Sequence, residues 1–291
     1  MKKNLKITPY LFIAPTFILL FIFSYLAIGN ALYISFTDAS FGFKTNFIGF
    51  DNYKDLFAGG VFWTSFANQG VITLTSVFNS VFWPLLAAEL LFFIRRKKAA
   101  RVIKTAFVIP MLVPSIVTIL TWRYLFNRDF GFNTILRSFG FDALTKNWLN
   151  DAGTAIWCII LVGFPFVSGL FFLIFHAGIN NIGDELYEAA VIDGANSMQV
   201  VGRIHLPNVA PYINVIFTLS LIGSLSNFGL IAATTAGGPG NSTMVPSLLM
   251  YWVAFKDGRF GRASAMGVLL FIIIMAVTLL TRKLFSKKGE F

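Results

Sequence analysis

Between Asn181 and Pro207 the chain reads Asn-Ile-Gly-Asp-Glu-Leu-Tyr-Glu-Ala-Ala-Val-Ile-Asp-Gly-Ala-Asn-Ser-Met-Gln-Val-Val-Gly-Arg-Ile-His-Leu-Pro. Four acids (Asp184, Glu185, Glu188 and Asp193) surround a short apolar set, Leu186, Ala189, Ala190 and Ile192, with Arg203 the one clear cation. Asp184 suits an N-cap and Glu185 the positive end of a helix dipole. Asp193-Gly194 predicts the helix end, since glycine takes the left-handed cap conformation without penalty. A second short helix is expected from Asn196 or Ser197 and should stop before Pro207. Composition alone allows an amphipathic turn on lipid or a small apolar knob for a groove on a partner. Its acids favour the partner, because an anionic leaflet repels them.

Other chemistry-bearing residues are sparse. Ser220, Ser224 and Asn227 recur at three-to-four spacing and share one helix face. They could present hydroxyl-matching groups to a polar ligand or tie helices together. Glu89 and Arg123 are the main ionisable residues inside apolar runs, where pairing or snorkelling is expected near the run ends. His176 and His205 stand apart, so no metal site and no catalytic group can be assembled from them. Gly237-Gly-Pro-Gly-Asn-Ser-Thr243 superficially suggests a phosphate loop but lacks its lysine and glycine spacing. Cys158 lies alone in an apolar run, a small buried hydrophobe.

The elements that must position these residues are membrane helices. Of 291 residues, 56% are hydrophobic and only 12% charged, and the mean hydropathy is +0.74. A soluble surface of this size needs more charge, and the apolar runs reach the ~20 residues a bilayer requires. We expect an all-α membrane protein with six spans near 10–34, 71–94, 106–126, 155–179, 213–233 and 263–284. The run after Met1-Lys2-Lys3 is too long for a signal peptide and reads as the first span. Pro84, Pro110, Pro114 and Pro165 interrupt spans, either as packing kinks or as features of a pathway. Trp63, Tyr124, Trp148 and Trp252 fit an interfacial belt, and Met244–Phe255 suggests a short helix on the outer surface.

The formal net charge of +10 does not imply nucleic acid, because the cations flank spans. Lys2, Lys3 and Lys6, then Arg95, Arg96, Lys97, Lys98, Arg101 and Lys104, then Arg282, Lys283, Lys287 and Lys288 fall on one side if six spans are present. The positive-inside rule makes that side cytoplasmic, with both termini and the 95–104 and 180–210 loops. We expect one membrane domain over residues 1–291, with 183–207 as a cytoplasmic loop inside it.

The spacing Glu188-Ala189-Ala190, Gly194, Ile204, Leu206 and Pro207 fits EAA-x3-G-x9-I-x-L-P. It resembles the membrane subunits of binding-protein-dependent ABC importers. That resemblance implies the type I ABC importer permease fold and makes the loop a coupling helix. Glu188, Ala189, Ala190, Asp193, Gly194, Ile204, Leu206 and Pro207 would form the ATPase-coupling set. Leu125-Phe-Asn-Arg-Asp-Phe-Gly131, Gly163-Phe-Pro-Phe166 and Gly237-Gly-Pro239 look most like the sugar branch, of maltose, lactose and glycerol-phosphate type. The chain lacks the extra N-terminal spans and large outer domain of the maltose-type subunit. Carried over residue by residue, the sugar-lining positions are Gly163, Phe166, Ser220, Ser224 and Asn227. Ile159 is apolar where the maltose type has a polar residue, so the contacts must differ.

The implied partners are a second six-span permease subunit, two cytoplasmic ATPase subunits, an extracytoplasmic solute-binding protein, a sugar and the lipid bilayer. No cofactor is expected on this chain; ATP and Mg belong to the ATPase, and the chain itself is no enzyme. The implied location is the bacterial inner membrane. The alternative is a secondary transporter driven by an ion gradient, which the scarcity of central carboxylates disfavours.

Overall fold

The computed structural model describes residues 8–41 and 45–286. Lys2, Lys3, Lys6, Lys287, Lys288 and the side chain of Asp184 lie outside that description. Among the described residues the fold is all helical, with two isolated β-bridges. Four helices within the described residues are long and apolar enough to cross a membrane: α1 (Tyr10–Ile34), α3 (Gly60–Phe92), α10 (Ser197–Ser226) and α13 (Phe260–Ser286). Between α1 and α3 lies the short α2 (Asp51–Ala58). A fifth candidate is broken: α4 (Lys97–Leu112) and α5 (Ser115–Leu125) meet at 93°. The break falls at Pro110 and Pro114, as proline's missing donor and ring clash require. After α6 (Phe132–Ser138), the expected fourth span is likewise two pieces, α7 (Ala155–Leu161) and α8 (Gly169–Asn180). The break falls around Pro165, the interruption expected there. Pro84, by contrast, sits within the continuous α3.

The described residues form two compact units, one from the chain up to Phe62 with Leu249–Ile272, the other from Trp63–Leu248 with the chain from Ile273 on. In the first, buried Asn52 donates to the Ser35 and Thr37 carbonyls at 2.9 and 2.8 Å. Gly261 passes so close to Thr37 that a Cβ would overlap its carbonyl oxygen. In the second, Ala88 and Leu91 of α3, Phe172, Phe175 and Ile179 of α8, and Val209 and Ile216 of α10 form a closed core. Phe107 of α4 packs on Phe172 with centroids 5.2 Å apart. A Cβ at Gly178 would lie 2.8 Å from the Tyr212 ring, so glycine is what lets α8 and α10 approach. This core fixes the ends of the helices that carry the 181–207 segment.

Of the stretch Met244–Phe255, expected as a short helix, the first part is buried, while Tyr251 and Phe255 are exposed. It contains the short apolar helix α12 (Pro246–Phe255), which follows α11 (Gly229–Thr234) in the chain.

Candidate coupling loop and substrate cavity

The loop folds as α9 (Asp184–Ile192) followed by the start of α10. Gly183, not Asp184, is the N-cap residue of α9. The C-terminus closes as expected: Gly194 has φ +76°, its N–H donates to the Val191 carbonyl, and the Ala195 N–H donates to that of Ala190 at 2.9 Å. This 6→1 and 5→2 pair is a Schellman closure. Asn196 starts α10 with a reciprocal cap: the Gln199 N–H donates to Asn196 Oδ1 at 2.9 Å, and the Asn196 N–H to Gln199 Oε1 at 2.8 Å. The turn between the helices is therefore hydrogen-bonded on both sides.

The second helix does not stop before Pro207. A turn of π-helix, Val201–His205, runs straight into the membrane helix. The wider turn accommodates a residue with no N–H, and Asn208 Nδ2 donates to the Ile204 carbonyl at 2.7 Å.

The coupling residues divide by exposure. Glu188, Ala189, Asp193, Gly194, Leu206 and Pro207 are exposed; Ala190 and Ile204 are half-buried. The apolar knob points outward, with Leu186 half-exposed, Ile192 85% exposed and Met198 81% exposed. Beneath it, Tyr187 and His205 clamp Phe92 edge-on, at 5.3 and 4.6 Å between centroids.

His205 is not isolated. Its Nδ1 lies 2.7 Å from Glu89 Oε2, with His205 only 1% exposed and Glu89 6%. An imidazole N–H donates there to a carboxylate. Glu89 Oε1 is buried without a partner. The pair joins residues 116 apart in sequence, so no local spacing could announce it. Arg123 also pairs across the chain: its Nη1 donates to the Ala233 carbonyl, 110 residues away, at 3.4 Å.

Gly163 and Phe166 lie in the break between α7 and α8, with φ +93° and +62°. Positive φ is costly for phenylalanine, and here it accompanies the ring's place on the wall of a cavity of about 330 Å³. Thr75, Ser76, Asn79 and Ser80 of α3 supply polar lining, with Ile159 opposite. These four were missed; their recurrence at one helix face of span two was the available signal. Ser220, Ser224 and Asn227 do not line this cavity. Ser224 Oγ is 3.1 Å from Thr73 Oγ1, Ser220 Oγ donates to the Phe217 carbonyl at 3.0 Å, and Asn227 Oδ1 accepts from the Gly229 N–H at 2.7 Å.

The phosphate-loop lookalike is hydrogen-bonded to itself: Thr243 Oγ1 donates to the Gly238 carbonyl at 2.8 Å and contacts Thr235 Oγ1 at 2.7 Å. Its backbone is folded around Thr243 rather than splayed toward an anion. Among the described residues no group of three metal-ligating side chains converges.

Residues 80–288 match the family described as "Binding-protein-dependent transport system inner membrane component". The chain belongs to that family. The match takes in the Gly163–Phe166 side of the cavity, the α9 loop and the last helix. The Bacillus subtilis protein named "Probable ABC transporter permease protein YurN" is 33% identical over 287 residues, 98% of each chain. The Streptococcus mutans "Multiple sugar-binding transport system permease protein MsmF" is 31% identical over 280 residues, 96% of this chain and 95% of its own. In fold, the chain is similar to a bacterial ABC transporter involved in the import of the acidic polysaccharide alginate. The TM-score is 0.87 at 22% identity, covering 97% and 96% of the two chains. It is also similar to a bacterial alginate ABC transporter solved in complex with an alginate pentasaccharide-bound periplasmic protein, at a TM-score of 0.84 and 22% identity over 95% and 93%. Family membership makes this a permease of binding-protein-dependent transport and sets aside the ion-gradient alternative.

Proposed function

We propose that the chain is one membrane half of an ATP-driven sugar importer, carrying an oligosaccharide delivered by an extracytoplasmic binding protein. Six spans are completed by the two broken segments, and residues 1–291 act as one permease domain in the bacterial inner membrane with both termini cytoplasmic. The reading is carried by the outward apolar knob on α9, held by capped ends over a closed core. An exposed Ile192 beside Glu188 and Asp193 is costly on an isolated loop and useful against a groove with basic edges. Two ATPase subunits supply that groove, bind ATP and Mg, and move the loop as they close; a second permease completes the pathway. Cargo passes the cavity at Gly163 and Phe166, where an aromatic wall faces the hydroxyls and amide of α3, the chemistry a sugar needs.

The test is Ile192→Asp. At 85% exposure the change leaves the fold intact. Burying isoleucine contributes about 2–3 kcal/mol, so losing it weakens ATPase docking by roughly 100-fold and abolishes binding-protein-stimulated ATP hydrolysis. Full stimulation in this variant refutes the docking assignment. For the cargo, Asn79→Leu and Phe166→Ala should each lower sugar uptake while ATPase docking stays intact; unchanged uptake in both removes the cavity from the pathway.

A further inference from the structure

A cavity of about 440 Å³ opens between the C-terminal ends of α3 and α8 and the first turns of α4, lined by Leu91, Phe92, Arg101, Lys104, His176 and Asn180. Nothing in the coupling or cargo reading uses it. Its charge is one-sided. Lys97, Arg101 and Lys104 recur at i, i+4 and i+7 of α4 and share one face, and two of them reach the cavity wall. Among the described residues no Asp or Glu carboxylate lies within 4.0 Å of Arg101 or Lys104. The α8 end opposite brings no carboxylate to the lining: it contributes His176 and Asn180, and Asn180 Nδ2 donates to the His176 carbonyl at 2.7 Å. The floor is apolar, with buried Leu91 and half-buried Phe92 and Ala100. His176 stacks on Phe172 at 5.8 Å, which holds the ring at the rim.

Two unpaired cations over an apolar floor, at the end of membrane helices, suit a group that is anionic at one end and greasy at the other. A fork of guanidinium donors fits phosphate oxygens, and an adjacent ammonium adds charge. We propose that this cavity binds the phosphate head group of an anionic glycerophospholipid of the cytoplasmic leaflet. Arg101 and Lys104 hold the phosphate, and the glycerol and first acyl carbons lie over Leu91 and Phe92. The leaflet assignment rests on the sidedness given under Proposed function; the head-group site itself does not. Phe92 also touches Tyr187 and His205, so the lipid would lie directly against the support of the coupling loop.

The experiment is a native mass-spectrometry titration of the full chain, purified in mild detergent with the subunits that accompany it and stripped of lipid. Phosphatidylglycerol, phosphatidylcholine and inorganic phosphate are added separately. Retention of phosphatidylglycerol is expected, with little phosphatidylcholine and no competition by inorganic phosphate. R101Q/K104Q should need roughly 30-fold more phosphatidylglycerol, about five-fold per cation; R101Q alone, at an exposed position, gives the five-fold test if the double variant is not produced. R282Q/K283Q, a basic pair elsewhere, should stay within two-fold. Unchanged affinity in R101Q/K104Q, or an equal loss in R282Q/K283Q, overturns the site. Inorganic phosphate binding that displaces the lipid converts it to a free-anion site and overturns the lipid assignment. Lys98→Cys reports sidedness by labelling with an impermeant maleimide in inside-out vesicles. Labelling in right-side-out vesicles instead overturns the cytoplasmic leaflet and the sidedness reading while leaving the titration result standing.

Discussion

Breaking the Glu89–His205 pair should be the most damaging single change near the coupling loop. Both side chains are more than nine-tenths buried, and their contact is 2.7 Å. Glu89 Oε1 already has no partner. His205→Leu would leave both carboxylate oxygens unpaired in an apolar setting among Phe92 and Phe93. Removing one member of a buried pair costs about 3–5 kcal/mol, mostly as the penalty of the stranded charge. At about 2–4 °C per kcal/mol for chains approaching this size, the midpoint should fall by roughly 6–20 °C. Replacing both members with apolar residues strands nothing, so Glu89→Leu combined with His205→Leu should recover most of the loss. The assay is thermal unfolding of the purified protein in detergent for wild type, both single variants and the double. Two results refute the reasoning: a single-variant shift under about 3 °C, or a double variant as damaged as the sum of the singles. Because His205 also sets the support under α9, the single variants should lose ATPase stimulation at temperatures where they remain folded.

Three further outcomes are expected. Gly178→Ala pushes a methyl against Tyr212 ring carbons 2.8 Å away and should cost about 1–3 kcal/mol, whereas Gly194→Ala meets no atom within 4 Å and should cost about 1–2 kcal/mol through left-handed backbone strain alone; midpoints of both, with Gly194→Asn recovering part of the second, separate the causes. Cys158 is 3% exposed, so it should resist maleimide under conditions that label Ile192→Cys fully; comparable rates would contradict its burial. The Asn46 backbone N–H and side-chain amide hold the Asp38 carboxyl below the ordinary aspartate range. Their clamp is therefore complete above that ordinary value and is lost as pH falls through the lowered one; pH-dependent exchange of the Asn46 N–H should follow that direction, and Asp38→Ala should remove the dependence.

What could be read in the sequence was what depends on neighbours along the chain. The left-handed Gly194 and the start at Asn196 are local backbone chemistry, and both are present. The outward knob followed from composition, since Leu186 and Ile192 had acids rather than apolar partners beside them. Helix continuity was harder. Prolines mark four positions inside apolar runs, and the backbone breaks at Pro110, Pro114 and Pro165 but not at Pro84, while Pro207 also leaves its helix whole. Proline removes one donor everywhere, and the neighbouring backbone decides whether the helix absorbs it. Contacts across the chain were beyond reach. Nothing near His205 points to Glu89, and nothing near Gly163 points to Asn79; both pairings arise from how α3 lies against α8 and α10.

That placement connects the two halves of the proposed mechanism. The helix α8 begins beside the Gly163–Phe166 cavity wall and ends three residues before α9. Its 12 residues span about 18 Å at 1.5 Å each. Lying between two sites does not by itself couple them. What makes α8 suited to carry displacement is that it cannot easily deform: Phe172, Phe175 and Ile179 are fully packed, and Gly178 locks it against Tyr212 of α10. Close-packed cores move as bodies rather than bending residue by residue. A force on Ile192 would therefore shift α8 and the start of α10 together. The yielding point is the irregular backbone at 162–168, where the helix is already broken. The cavity wall sits at that hinge, which is where a change in access to cargo requires the motion to be spent.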